Sequence, residues 1–497
     1  MESIICYLNK GYVAHKDKIL FVDEDKKMTY KESYFLVIKL VNLFLKSGLK
    51  KGQKVILRTT RTIECSLIII ALQTLGIITA LIDPYKKIDD LKIIKKENFT
   101  YDFYISNEKE EFSTARRDGW LILNDRNEVI NKIDFNFENI KEDFGYENNI
   151  NDDGIILFTS GSTGANKCVL LKQRAYMHHI IYANDQTTFN KEDRIILLLP
   201  LNHVFGLDVL FGTITKGATL YYPKTTKVNY VAEFIDKYKI NKVDSVPSLL
   251  FQLYEYTKNN NIKLETIEKS IVGGAPSNIN QLKEIEKCFN SKITQVYGMS
   301  ECFGISASTL DMEEHLRIES AGKVNTGSSI KIIDENNNEL KDGEEGEIIY
   351  KWNTLMEGYL EKDKLIIPFD KNGYLRTGDI GYLNGNILYV TGRKKDIIIR
   401  NGYKISCRAL ENVISTLPYI KEVAVVPLKD DERGEVPGVL VSVNDSKIKE
   451  DQITKDLIPL IKRNEMIGKG KIIDKMPLNH NGKIDKIKVK EILCLKD

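Results

Sequence analysis

The sequence has few cysteines and no excess of either charge. Only seven of its 497 residues are cysteine, and no CxxC spacing occurs, which argues against a disulfide or zinc framework and favours a reducing compartment. Lys and Arg total 72 against 70 Asp and Glu, so no basic surface for nucleic acid is expected. Six histidines include the neighbours His178 and His179, which point apart on a helix and predict no metal site.

Long apolar runs are also scarce, and no secretory signal is visible at the start, where Glu2 stands in place of a basic region. One run of 18 uncharged residues, 65–82, is as long as a membrane-spanning helix. Polar residues at its centre, Gln73 and Thr74, and a following Gly76 predict instead a helix, a tight turn and a buried strand. We therefore expect no membrane span and a cytoplasmic protein.

Helical and β-branched segments alternate along the first 320 residues, which predicts an α/β architecture with mainly parallel sheets. One example is the amphipathic helix predicted over 34–47. Hairpin-like strand pairs then appear, such as 330–334 with 347–351. From about Lys395 onward, further helices and strands, including a helix over 452–463, predict a small α+β domain.

A loop rich in glycine and hydroxyl residues, FTSGSTGANK, occupies 158–167 after an apolar strand. Gly161 and Gly164 allow close approach of the backbone to a ligand, and Lys167 adds a positive charge, so the loop suits a phosphate group. It does not match a Walker loop, because Cys168 follows the lysine. A polar surface turn is the alternative.

Four further motifs place single charged residues in turns that contain glycine or serine. In QVYGMSECFG, Glu301 next to Ser300 is a candidate magnesium ligand. In YLRTGDIGYL, Asp379 is placed to accept ribose hydroxyls. Arg393 of GRKKD and Lys483 of PLNHNGKIDK are cations for a phosphate or carboxylate. Taken singly, Glu301 is more simply explained by a solvated loop, Asp379 by an Asp that caps its own turn, and Arg393 and Lys483 by surface charge clusters.

Together and in this order, the five motifs resemble those of the adenylate-forming enzymes, which include acyl-CoA and aryl-CoA ligases, adenylation domains and luciferases. The resemblance covers nearly the whole chain, and LPLNHVFG (199–206), GGAPS (273–277) and GEIIYKWNTLMEGYL (346–360) match three more family motifs. It implies an α/β fold with a distorted β-barrel subdomain. A large AMP-binding domain of two α/β subdomains, 1–394, would precede a small mobile α+β domain, 395–497.

The resemblance also implies roles for single residues. Lys483 is the adenylation lysine, Glu301 binds Mg²⁺, and Lys395 is the hinge between the domains. The implied catalytic residues are Lys167, Ser300, Glu301 and Lys483. The implied ATP-binding residues are Thr159, Ser160, Gly161, Ser162, Thr163, Gly164, Gly274, Ala275, Pro276, Tyr297, Asp379 and Arg393. The implied substrate pocket comprises His203, Val204, Phe205, Gly273, Gly298 and Met299.

The implied reaction is ATP-dependent activation of a carboxylic acid as an acyl-adenylate, followed by transfer to a thiol of coenzyme A or of a carrier protein's phosphopantetheine arm. Adenylation domains for α-amino acids typically carry an Asp that binds the ammonium group. Val204 aligns with that position, and an ammonium there would be buried without a partner, so an aryl or short acyl acid is favoured. An amino-acid-activating domain, an inactive nucleotide-binding scaffold and a luciferase-like oxygenase remain as alternatives.

The sequence departs from the family pattern at several positions. Asn166-Lys167-Cys168 stands where Pro-Lys-Gly is usual, and a cysteine relaxes a strained backbone less readily than glycine. Ser300 replaces a threonine but keeps the hydroxyl, and Lys486 replaces an arginine. A stretch after the hinge that is commonly rich in Glu reads KISCRALENV (404–413) and keeps only Glu411. No predicted catalytic group is lost, so we expect an active enzyme.

Overall fold

The computed structural model describes residues 1–85, 94, 98–107, 120–124, 128–135, 149–160, 166–444, 447–479 and 483–495. Its α-helices are α1 (Ile4–His15), α2 (Tyr30–Lys46), α3 (Ile63–Thr74), α4 (Gln173–Tyr182), α5 (Val204–Lys216), α6 (Val228–Tyr238), α7 (Pro247–Asn259), α8 (Ile279–Phe289), α9 (Glu314–Glu319), α10 (Cys407–Ile414), α11 (Glu450–Leu457) and α12 (Lys486–Cys494). Its strands are β1 (Ile19–Val22), β2 (Lys27–Thr29), β3 (Lys54–Arg58), β4 (Ile78–Ile82), β5 (Phe103–Asn107), β6 (Trp120–Asn124), β7 (Val129–Ile133), β8 (Asp153–Ser160), β9 (Asn166–Lys172), β10 (Arg194–Leu197), β11 (Thr219–Tyr221), β12 (Lys242–Asp244), β13 (Lys269–Gly273), β14 (Lys292–Met299), β15 (Phe303–Ala307), β16 (Lys323–Val324), β17 (Ser329–Ile333), β18 (Gly346–Lys351), β19 (Gly358–Glu361), β20 (Lys364–Ile366), β21 (Leu375–Asn384), β22 (Ile387–Arg393), β23 (Ile397–Arg400), β24 (Tyr403–Ser406), β25 (Ile420–Asp430), β26 (Gly434–Val443) and β27 (Lys469–Ile472).

The first sheet has 13 strands, in the order β17-β18-β21-β22-β16-β15-β14-β13-β12-β10-β11-β1-β2. The run from β14 to β1 is parallel, as the alternation of helices and strands predicts. The carboxyl ends of β13 and β14 therefore meet at one edge of the sheet. Strands β15 to β18, β21 and β22 continue the sheet as antiparallel pairs and form the predicted barrel-like part.

The second sheet has nine strands, in the order β20-β19-β9-β8-β4-β3-β5-β6-β7. Its centre, β5, β3, β4 and β8, is parallel. Strands β19 and β20 come from the antiparallel part of the chain and join this sheet through β9. Residues from β19 consequently lie beside the strand that leaves the predicted phosphate loop.

The apolar run over 65–82 is a helix, a turn and a strand, as predicted. Every residue of α3 is buried, since the helix packs against α1, α2 and β4, and this burial accounts for its uniform hydrophobicity. Gly76 takes a positive φ of 67° in the turn, and the buried strand β4 follows. Among the described residues, no helix is long and apolar enough to cross a membrane.

The C-terminal part forms its own five-stranded sheet, in the order β24-β23-β26-β25 with β27 beside β26. Its core includes Ile414, Val425 and Val439, so the prediction of a small second domain is confirmed. The helix predicted over 452–463 is too long, because α11 ends at Leu457. Pro459 has no N–H to continue the helical hydrogen bonds.

The two domains meet across several polar contacts. Gln281 of α8 donates to the carbonyl of Lys421 at 2.7 Å, and Lys421 Nζ lies 3.3 Å from Glu255 of α7. Lys395 lies in a short 3₁₀ helix, Lys394–Asp396, between β22 of the first sheet and β23 of the small domain. The position is compatible with the predicted hinge, and a boundary at 394/395 stays a prediction.

Candidate active site

Strands β8 and β9 bracket the predicted phosphate loop and pair antiparallel, with Thr159 opposite Lys167. Five residues of the loop, Gly161, Ser162, Thr163, Gly164 and Ala165, lie outside the described residues. Cys168 is fully buried and pairs with Phe158 and Leu360 in regular strand geometry. This position therefore does not require the conformational freedom of a glycine.

Tyr359 of β19 links two of the predicted catalytic residues. Its hydroxyl donates to Glu301 Oε1 at 2.9 Å, and Lys167 Nζ lies over its ring, 4.5 Å from the centroid. Glu301 is only 7% exposed, and its backbone carbonyl accepts from the Met356 N–H at 2.8 Å. The carboxylate is thus held in one position beside Lys167, the last residue of the phosphate loop.

The turn between β14 and β15 carries Ser300 and Glu301 and is strained. Phe303 has a φ of +59°, a conformation that costs a bulky residue of order 1–3 kcal/mol. At Gly298 an added Cβ would lie 2.1 Å from the Phe303 carbonyl oxygen, so only glycine fits there. The tight turn holds the half-buried Ser300 next to the buried carboxylate.

Asp379 is held between two of the other predicted ATP-binding residues. Asp379 and Arg393 are direct partners across the β21–β22 pair, and Arg393 Nε donates to Asp379 Oδ1 at 2.7 Å. The Tyr297 hydroxyl donates to Asp379 Oδ2 at 2.8 Å. Burial, together with this carboxylate, raises the pKa of Tyr297, so the phenol stays a donor at neutral pH.

Lys483 reaches from the small domain to the GGAPS turn of the large domain. Its Nζ lies 3.6 Å from the Cβ position of Gly274, which has a positive φ of 79°. Burial, with the nearby charge of Arg393, lowers the pKa of Lys483. The two domains thus place this ammonium group beside the end of β13.

The residues of the predicted substrate pocket lie around the start of α5. His203 precedes the helix, and the half-buried Val204 and Phe205 form its first turn. The Phe205 ring reaches within 3.5 Å of the Cβ position of Gly273 at the end of β13. Met299, at the end of the neighbouring β14, is half-buried. The start of α5 therefore meets these strand ends through small and apolar groups, and a substrate pocket here stays a prediction.

Sequence reasoning assigned no role to two residues near the site. Tyr359 lies in a stretch that matched a family motif, but only the packing of β19 on β9 brings it to Glu301. Arg408, at the start of α10, is the second. Burial lowers its pKa, and the Glu411 and Asp379 carboxylates oppose that shift. In the sequence, Arg408 is distinguished only as a basic residue in KISCRALENV, a stretch that is commonly rich in Glu in the family.

Many of the described site residues lie at the carboxyl ends of β8, β13 and β14 and on β21 and β22, while Lys167 begins β9 and Lys483 comes from the small domain. Ligands of open α/β sheets bind at such edges. Two lysines suit phosphate groups, Asp379 suits hydroxyls, and Glu301 suits a hard cation. The remaining ATP-site residues Ala275 and Pro276 follow Gly274 in the same turn.

Comparisons with known proteins identify the family of the chain. The AMP-binding enzyme family model matches residues 10–360, and the AMP-binding enzyme C-terminal domain matches 409–483. The peroxisomal OPC-8:0-CoA ligase 1 of Arabidopsis thaliana is 27% identical over 95% of this chain and 90% of its own. The 2-succinylbenzoate–CoA ligase of Bacillus pumilus is 26% identical over 97% and 96%. The 4-coumarate–CoA ligase 3 of Oryza sativa is 30% identical over 67% and 63%.

Solved structures share the fold. ATP-bound MatB from Rhodopseudomonas palustris superposes with a TM-score of 0.83, at 19% identity and 99% coverage of both chains. The o-succinylbenzoate CoA synthetase of Bacillus subtilis, in complex with its acyl-adenylate, gives 0.81 at 22% identity, covering 99% of this chain and 98% of its own. From the family matches, together with this fold, the chain belongs to the AMP-binding enzyme family of adenylate-forming enzymes.

Proposed function

We propose that the protein joins a carboxylic acid to ATP, releases pyrophosphate, and transfers the acyl group from the adenylate to the thiol of coenzyme A. The observation that carries this proposal is the position of Lys483. A cation from the small domain lies beside the Gly274 turn and near Arg393, the partner of Asp379, where the resemblance places the nucleotide. The curated relatives reported above are named as CoA ligases.

Adenylation requires charge stabilisation rather than a general base, because the attacking carboxylate is already ionised. Negative charge grows on the α-phosphate and on the departing pyrophosphate. Lys483 would stabilise the former and Lys167 the latter, both as positioned cations. Asp379, oriented by Arg393 and Tyr297, would accept the ribose hydroxyls and fix the nucleotide along the site.

Glu301 fits a Mg²⁺ ion that accompanies the ATP phosphates. Its Oε1 accepts from Tyr359, while Oε2 has no hydrogen-bond partner among the described residues. A carboxylate oxygen left in this way, on a side chain that is otherwise largely buried, suits a hard divalent cation, together with phosphate oxygens. When bound, such an ion neutralises charge on the phosphates.

The second step needs the thiol, and no longer Lys483, next to the acyl carbon. We infer that the small domain, 395–497, rotates about Lys395 after adenylation. The structure has Lys483 close to the large domain, which is the arrangement that the first step needs. The hinge would lie in the 3₁₀ helix Lys394–Asp396 between the two domains' sheets.

The acid is inferred to be aryl or short acyl and to lack an α-amine. Val204 opens the pocket helix with an aliphatic side chain, and Phe205 presents a ring to Gly273. An acidic residue does lie one turn further along the helix, at Asp208, but its carboxylate is buried and accepts from Gln186 at 2.9 Å. A substrate ammonium would have to displace that contact.

The thiols are the observation that supports a proposal for the location of the protein. All seven cysteines are free, and three of them, Cys6, Cys288 and Cys494, are exposed. We infer a reducing compartment, the cytoplasm, as their setting.

The test is a pyrophosphate-release screen over aryl, short-chain, long-chain and amino acids. The best acid is then combined with coenzyme A or with a phosphopantetheinylated carrier protein, and the thioester is measured. We expect an aryl or short acyl acid and coenzyme A to give the highest rates. A clear preference for an amino acid would mean that the alignment at Val204 is wrong. No release with any acid would favour a nucleotide-binding scaffold.

A further inference from the structure

A buried cluster of polar side chains lies behind the substrate pocket, on α4, α5 and the 3₁₀ helix that follows α4. His179 Nε2 lies 3.3 Å from Asp185 Oδ2 and 3.2 Å from Asp208 Oδ1. The Gln186 carboxamide points into the same space, with Nε2 at 2.9 Å from Asp208 Oδ1 and 3.4 Å from Asp185 Oδ2. All four residues are at least 96% buried. Among the described residues, no hydrogen bond or ion pair joins them to the predicted nucleotide site.

The cluster contains more acidic than basic groups. It holds two carboxylates and one imidazole, and among the described residues neither Asp185 nor Asp208 forms an ion pair with Lys or Arg. The surroundings are apolar: the His179 ring stacks on Phe303, with centroids 5.2 Å apart. Two ionised carboxylates in this buried, apolar environment would be stabilised by a cation, since an uncompensated buried charge is costly.

Two buried oxygens of the cluster also lack a hydrogen-bond partner. They are Asp185 Oδ1 and, as the carboxamide is oriented, Gln186 Oε1. A rotation of 180° exchanges the oxygen and nitrogen of a carboxamide, and only the hydrogen-bond network decides between the two orientations. Rotating Gln186 by that half-turn would put its oxygen, rather than its NH₂ group, next to both carboxylates. The cluster would then present one nitrogen and three oxygens to a common point.

We propose that His179, Asp185, Asp208 and Gln186 form a structural site for a divalent transition-metal ion of the Zn²⁺ class. Zn–N and Zn–O bonds of about 2.0–2.2 Å make the edges of a tetrahedron about 3.3–3.6 Å long. The four contacts given above, 2.9 to 3.4 Å, come near these lengths without moving the backbone. A divalent ion would also balance both carboxylates.

The ion would tie three elements together behind the substrate pocket. Asp208 lies one helical turn after Val204 on α5, while the His179 ring lies 2.7 Å from the Cβ position of Gly304 on β15. Gly304 pairs in turn with Gly298 of the pocket. The site is separate from Glu301, so it concerns the framework of the pocket and not the phosphates. The adjacent His178 takes no part, because its ring packs on Trp352.

Metal content is the first test. The protein is produced in medium supplemented with Zn²⁺ and Mn²⁺, purified without chelators, and analysed by mass spectrometry for bound metals. We expect about one ion per chain. Asp208→Asn and His179→Gln should each lower this content at least about tenfold. Asp193→Asn, which alters a buried carboxylate paired with Lys269 elsewhere, should retain the ion.

Measurements on the unaltered protein test the metal site independently of the variants, which need not fold. Chelation should lower the midpoint of thermal unfolding, and added Zn²⁺ should restore it. Co²⁺ in place of Zn²⁺ should give the strong visible absorption of a four-coordinate ion. Less than about 0.1 ion per chain, with no Co²⁺ absorption and no shift in unfolding, would overturn the proposal. The cluster would then be an ion triad with a protonated His179. Equal metal content in Asp208→Asn and the unaltered protein would overturn it as well.

Discussion

The Tyr359 hydroxyl donates a hydrogen bond to Glu301 at 2.9 Å while the same ring supports Lys167 at 4.5 Å. One side chain thereby positions both the proposed magnesium ligand, Glu301, and Lys167 at the end of the phosphate loop. Burial and the Glu301 charge raise the pKa of Tyr359, so the hydroxyl remains a donor throughout the working range of pH.

Tyr359→Phe should therefore weaken the response of adenylation to Mg²⁺. The ring under Lys167 is kept, but the Glu301 carboxylate loses its positioning partner, and loss of such a partner typically costs about 10–100-fold in metal affinity. The measurement is ATP–pyrophosphate exchange as a function of Mg²⁺ concentration. Tyr374→Phe, which removes a hydroxyl bonded to Ser329, is the control. An unchanged Mg²⁺ dependence would show that the hydrogen bond has no such role.

Asp379→Ala should weaken ATP binding by about 2–4 kcal/mol, because two hydrogen bonds to a charged acceptor are lost. Isothermal titration with ATP measures the loss directly. Asp342→Ala removes an exposed carboxylate that accepts from Gly385, and it should leave ATP affinity unchanged. If the Asp379 variant binds ATP as the unaltered protein does, the ribose assignment is wrong.

Lys483→Ala should slow adenylation by about 10²–10³-fold, the scale for one positioned charge-stabilising donor. Supplied with synthetic acyl-adenylate, the variant should still form thioester. Single-turnover kinetics of each step separates the two effects. The control is Lys488→Ala, an exposed lysine of the same domain. Equal damage to both steps would contradict a role confined to adenylation.

The lowered pKa of Lys483 predicts an alkaline limit to adenylation. The ammonium group loses its charge as pH rises through that pKa, so kcat/KM for ATP should fall at a pH below the usual lysine value of 10.5. Bound phosphates favour the charged form, and kcat should fall at a higher pH than kcat/KM. Lys483→Arg stays charged, and in this variant the limit should move upward. The same limit in both proteins would assign it to another group.

Lys395→Pro should have the opposite effect to Lys483→Ala: adenylation should be kept and thioester formation lost. A 3₁₀ helix has a φ near that of proline, so the observed arrangement tolerates the substitution while rotation about this residue does not. We expect adenylation within about tenfold of normal, and a loss of thioester formation by orders of magnitude. Lys395→Ala removes the side chain but keeps the backbone free, and should transfer normally. If both steps slow alike, the hinge lies elsewhere.

Local patterns were enough to predict several elements. The helix, turn and strand over 65–82 follow from Gln73, Thr74 and Gly76, which act on their immediate neighbours. The pairing of 330–334 with 347–351 is also found, as β17 and β18. The C-terminal end of α11 could have been predicted as well, because Pro459 is visible in the sequence. The predicted helix over 452–463 ran past this proline and was therefore too long.

The sequence by itself determined the family, the alternation of helices and strands, and the identity of the charged residues in the motifs, because each is encoded in a short contiguous stretch. Only the tertiary structure decided which of these residues meet. Arg393 faces Asp379 through the register of β21 and β22, and Tyr359 reaches Glu301 because β19 joins the other sheet. The approach of Lys483 to the Gly274 turn depends on the docking of two domains. Strand register and domain docking are set by burial of surfaces far apart in the chain, and no local spacing records them.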